Sequence, residues 1–135
     1  MERAGGGAIV ATASVAGLIG FSPDPIYTLT KHAVVGLTRA LAPTLAARKI
    51  TFNCICPGIV DTNILGPDAG RLMSEHGIPI MQPSQIADAV VLAITGRATG
   101  EAFVCLPGRD HEKFVFKPIR GLGLDEGELA DLGKP

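Results

Sequence analysis

The residues best equipped for chemistry are Tyr27 and Lys31, in the segment Y-T-L-T-K, with Ser14 upstream of them. On a helix, residues four apart lie on one face, one turn from each other. A lysine held there places a fixed positive charge near the phenol, and a nearby cation favours the ionised form of such a group. A phenol tuned in this way can give a proton to a carbonyl oxygen or take one from an alcohol. A serine hydroxyl at the end of a neighbouring strand can hold the same oxygen. A tyrosine and a lysine four apart are common on solvated helix faces. Here Tyr27 is the single tyrosine of the chain, and a Pro57-Gly58 turn follows further on.

These residues need elements to position them. Ala8 to Ala13 reads as a short apolar buried strand and Gly17 to Pro25 as a loop. From Ile26 to about Arg48 the spacing is helical, with Leu29, Val34, Leu37, Leu41 and Leu45 as the expected buried stripe. Pro43 should kink or break that helix. Ile50 to Cys56 reads as a second strand, ended by Pro57-Gly58. Gly66 to Met81 is irregular, with room for a short helix. A second long helix opens at Pro83, a favoured first position, with Ile86, Ala89, Val90, Ala93 and Ile94 as its buried face. Glu101 to Leu106 is a third strand. Phe114 to Phe116 reads as a short extra strand or a packing segment. Alternating strands and helices predict an α/β fold with a parallel sheet of about three strands and right-handed crossovers.

The chain has 135 residues, 47% hydrophobic but only 4% aromatic, so the core is expected to be small and aliphatic. Twelve basic and thirteen acidic residues give a net charge of -1. No basic stripe suggests a nucleic acid or a membrane surface, and a small-molecule partner is expected. The three cysteines, Cys54, Cys56 and Cys105, have no disulfide or metal spacing. They read as reduced buried thiols of a cytoplasmic protein, and no metal is expected. The apolar run from Ala8 to Phe21, after Arg3, loosely mimics a secretory leader, but Glu2, Thr12 and Ser14 interrupt that pattern.

The runs A-I-V-A-T-A-S-V-A-G, Y-T-L-T-K-H-A-V-V-G-L-T-R-A-L-A and I-T-F-N-C-I-C-P-G-I-V-D-T resemble consecutive signatures of the short-chain dehydrogenase/reductase family. The likeness is dense from Gly7 to Thr62 and looser from Pro83 to Leu106. It implies part of a doubly wound, Rossmann-like sheet. It also implies hydride transfer between NAD or NADP and a ketone or secondary alcohol. In that family Tyr27 would be the general acid/base. Lys31 would assist it and bond the nicotinamide ribose, and Ser14 would orient the substrate oxygen. Pro57, Gly58, Val60 and Thr62 would line the nicotinamide, Asn53 would be structural, and Gly36 would permit close packing. Residues 66–82 would form the variable substrate loop, with Met73, Ile78, Ile80 and Met81 as an apolar lining or as packing contacts.

The resemblance covers the family's catalytic, C-terminal half, residues 1–120, followed by a tail at 121–135 expected to be poorly ordered. Missing from the sequence are the glycine-rich turn that cradles a pyrophosphate at a helix N-terminus, the residue that selects NAD over NADP, and an upstream catalytic asparagine. Met1 and the residues after it resemble an internal stretch of the family, which implies a truncated chain. Its first strand would then be an uncovered edge. Self-association, in line with the helix-mediated contacts of many family members, is expected. The alternatives are a non-enzymatic remnant that binds or dimerises with full-length relatives, and a small secreted protein whose first residues are cleaved.

Overall fold

The computed structural model describes residues 1–117. The expected tail at 121–135 lies outside the described residues. A turn at Glu2–Ala4 leads into β1 (Gly7–Thr12), a turn at Val15–Gly17, α1 (Pro25–Ala46) and β2 (Ile50–Pro57). After a turn at Asn63–Leu65 come α2 (Ala69–Glu75), α3 (Pro83–Thr95), β3 (Ala102–Cys105) and β4 (Glu112–Lys113).

The sheet order is β1-β2-β3-β4. β1 pairs with β2 and β2 with β3 in parallel, as the alternation of elements predicts. β4 is a two-residue antiparallel addition on β3. It lies just before the Phe114–Phe116 segment, which packs on the core and whose first residue still donates its N–H to Ala102 of β3 at 2.8 Å. The rings of Phe114 and Phe116 meet edge to face at 4.8 Å. Arg39 of α1 stacks its guanidinium on Phe116 at 3.9 Å.

β2 is the central strand and is buried almost throughout, which suits its β-branched and apolar residues. Its side chains alternate between two cores. On one side Cys54 and Cys56 join Ala13, Ala102 and Val35 of α1. On the other, Ile55 joins Phe103, Cys105, Met81 and the alanines Ala89 and Ala93 of α3. On the α3 side the larger Ile55 and Phe103 of the sheet meet alanines of the helix, whereas on the α1 side small sheet residues meet Val35. Close packing requires such matching.

α1 runs unbroken through Pro43, which is exposed on its surface. Its buried residues are Val35, Thr38 and Ala42, not the predicted leucine stripe. Leu29, Leu37 and Leu41 are 65%, 54% and 41% exposed. The helix lies so close to the small-residue side of the sheet that large side chains are turned outward. In α3, Ala89 and Ala93 are buried as expected but Ile94 faces solvent. Met81, expected either in a substrate lining or as a packing contact, is a core residue 1% exposed. Among the described residues no helix is long and apolar enough to cross a membrane.

Asn53 acts as a structural pin. Its buried amide donates to the carbonyls of Ala93, at 3.3 Å, and Ala98, at 2.8 Å, and accepts from the N–H of Glu101 at 3.1 Å. One side chain therefore joins β2, the end of α3 and the start of β3.

Candidate active site

The site forms where the parallel strands end. β1 stops at Thr12, and Ser14 follows immediately in extended conformation. Its hydroxyl accepts the N–H of Ala16 at 3.1 Å and donates to the carbonyl of Pro57 at 3.4 Å. Ser14 thus links the ends of the two neighbouring strands. β2 ends at Pro57, and Gly58 donates its N–H to Cys105 at the end of β3, at 2.9 Å.

α1 is held against this rim by a close approach. A Cβ placed on Gly17 would stand 2.6 Å from the carbonyl oxygen of Lys31 and 3.1 Å from a methyl of Val35. Only glycine fits between the turn after Ser14 and the helix. Gly36, where the resemblance implies tight packing, has open space around it instead. The Lys31 ammonium donates to the carbonyl of Thr12 at 3.0 Å. It also stands 5.4 Å from the centre of the Tyr27 ring. Tyr27 and Lys31 are both half-buried. Contacts therefore run from Tyr27 through Lys31 to Thr12, two residues before Ser14, and from Ser14 to Pro57.

The loop after β2 carries the remaining predicted residues. Val60 bridges to Met81 in parallel fashion. The Asp61 N–H donates to Met81, and Met81 donates to Ile59, each at 2.9 Å. Thr62 lies beyond, its hydroxyl 3.5 Å from the carbonyl of Val60. Val60 and Thr62 belong to the same rim as Pro57, in a loop braced by Met81.

Three contributors lay outside the sequence pattern. Gly17 and the Thr12 carbonyl act through backbone, which side-chain periodicity does not report. Asp24 caps α1, its carboxylate accepting the N–H of Tyr27 at 2.8 Å. The signal for it was available, since aspartate followed by proline marks a helix start. The three cysteines are all buried and free. Cys56 is pushed up first by its hydrogen bond to Cys54 and then by burial, and burial pushes the Cys105 thiol up as well. The same hydrogen bond shifts Cys54 the other way, holding its thiol below the usual range. Among the described residues no cluster of three metal-ligating side chains occurs.

The larger groove, about 500 Å³, lies between the far half of α1 and β4, beside Arg39, Lys113 and Phe116, and includes none of these site residues. A shallower depression of about 310 Å³, lined by Gly20, Phe21, Pro25 and Thr28, adjoins Tyr27 along the chain.

A sheet with serine, tyrosine and lysine gathered at its carboxyl rim defines a class, the Rossmann-like α/β oxidoreductases. The chain belongs within it to the short-chain dehydrogenase family, since residues 1–70 match the family model described as short chain dehydrogenase. Cyclohexanol dehydrogenase of Acinetobacter sp. (strain SE19) is 38% identical over 106 residues, which cover 75% of this chain and 42% of that protein. Carveol dehydrogenase from Mycobacterium avium, solved in complex with NAD, is similar in structure, with a TM-score of 0.67 and 28% identity over 76% of this chain and 46% of that one. ElxO with NADP bound gives a TM-score of 0.66 and 25% identity over 77% and 46%. The chain spans less than half the length of each of these proteins.

Proposed function

We propose that this chain carries the catalytic part of an NAD- or NADP-dependent oxidoreductase acting on a ketone or secondary alcohol. The observation that carries the reading is the Lys31 bond to the Thr12 carbonyl, which sets the lysine between Tyr27 and the Ser14 turn. Tyr27 is the group that exchanges a proton with the substrate oxygen. Ser14, already oriented by Pro57 and Ala16, steadies that oxygen. Cyclohexanol and carveol, named for the relatives, are ring alcohols, which supports an uncharged cyclic substrate.

The donor set fits the nicotinamide-ribose end of such a cofactor. An ammonium has three N–H donors. One of those on Lys31 goes to Thr12, so two remain for ribose hydroxyls. Pro57, Gly58, Val60 and Thr62 would border the nicotinamide. The cofactor supplies or accepts the hydride. The residues of this chain bind, orient and move the proton. Among the described residues no strand passes through a glycine-rich turn into a helix, so the pyrophosphate cradle is not among them.

Titration of the purified chain with NADH and NADPH tests the reading. Saturable binding, weakened about tenfold by Lys31→Met, is expected. No saturable binding up to about 1 mM overturns cofactor binding by this chain. That outcome favours the second reading, a non-enzymatic chain that pairs with its own kind or with longer relatives. The exposed apolar face of α1 and the position of β1 at the edge of the sheet among the described residues favour it.

A further inference from the structure

Tyr27 stands in the first turn of α1, where a helix is least secure because its opening N–H groups have no partners within it. Two side chains close that turn. The Asp24 carboxylate accepts the N–H of Tyr27 at 2.8 Å. The Thr28 hydroxyl accepts the N–H of Phe21 at 3.1 Å and donates to the carbonyl of the same residue at 3.3 Å. Backbone bonds from Thr28 to Asp24 and from Asp24 to Phe21, each 3.1 Å, complete a closed ring of contacts.

We infer that Asp24 and Thr28 are positioning residues for Tyr27, clamping residues 21–24 onto the first turn of α1 and so fixing where the phenol stands beside the Ser14 turn. The inference rests on the catalytic reading of Tyr27. The clamped segment continues directly from the turn bearing Ser14, so the clamp restrains the tyrosine from the serine's side of the site. The rest of α1 is secured elsewhere, by the Gly17 approach, the Lys31 bond and the buried Val35, Thr38 and Ala42. Opening the clamp therefore frays one turn and leaves the helix in place.

The chain itself provides the probe, because Tyr27 is its one tyrosine and it has no tryptophan. Quenching of tyrosine fluorescence by acrylamide, together with amide exchange at Tyr27, reads this turn alone. Asp24→Ala and Thr28→Val should each raise the exchange rate about fivefold, the usual scale of a lost cap. Quenching should rise with it, while the thermal midpoint hardly moves. Asp24→Asn keeps the cap and Thr28→Ser keeps the hydroxyl, so both should behave as the unaltered chain. Unchanged exchange and quenching in Asp24→Ala and Thr28→Val overturn the clamp. On a cyclic ketone, kcat should fall with the clamp opened and KM should hold, with recovery in Asp24→Asn and Thr28→Ser. Raised exchange with unchanged kcat overturns the positioning role, whereas near-normal turnover in Tyr27→Phe overturns the catalytic reading of Tyr27, which separates the two failures.

Discussion

The two faces of α1 differ in kind. The inner face presents Tyr27, Lys31, Val35, Thr38 and Ala42, which are small, polar or medium-sized, and every one is half-buried or buried. The outer face presents Ile26, Leu29, Leu37 and Leu41, larger and apolar, all exposed. The inner face is shaped by proximity. It meets Gly17, Ala13, Cys54 and Cys56, and leaves no space for leucine. The outer face is shaped by something other than this chain's own sheet. Exposed apolar surface of this extent marks a region suited to contact with another surface. One helix thus lines the candidate site with one face and leaves an apolar surface exposed on the other.

The sharpest test of this contrast is at the inner end. If Tyr27 exchanges the proton as proposed, Tyr27→Phe should lower turnover of a ketone by at least about a hundredfold. Near-normal turnover would take Tyr27 out of the chemistry. Next, Gly17, in the turn packed against the inner face, and Gly36, on the exposed side of α1, should answer oppositely to the same change. Gly17→Ala drives a methyl into the Lys31 backbone and should cost about 1–3 kcal/mol in urea unfolding. Gly36→Ala meets open space and should stabilise the chain by about 0.5–1 kcal/mol, as alanine does in a helix interior. Equal effects at both positions would erase the distinction between the faces. The smallest change in stability is expected on the outer face. Leu37→Gln with Leu41→Gln should alter unfolding by no more than about 0.5 kcal/mol. The same pair should reduce self-association measured by sedimentation. A large loss of stability instead would mean that these leucines pack within the monomer.

Much of this arrangement was legible in the sequence. The three parallel strands and the helices between them follow from alternation and Pro-Gly punctuation, whereas the roles of Ser14, Tyr27 and Lys31 come from the family resemblance and stand as a proposal. The direction in which α1 faces did not follow. Periodicity identifies the most apolar stripe of a helix, but not which surface covers it, and here the stripe and the buried face differ. The Gly17 approach and the Thr12 carbonyl were hidden because backbone contacts leave no pattern in side-chain type. Asn53 was legible as structural, though its partners were not, since all three are backbone groups distant in sequence.

Those partners have a consequence for how this chain can vary. The Asn53 amide reaches Ala93, Ala98 and Glu101 at once, so it measures the path from the last turn of α3 to the first residue of β3. A residue added to or removed from that path would carry at least one partner out of reach and leave a buried polar group unmet. The connector between β2 and α3 is under no such gauge from Thr62 to Ile80, where most side chains face solvent. Length should therefore be fixed in the first connection and free to drift in the second.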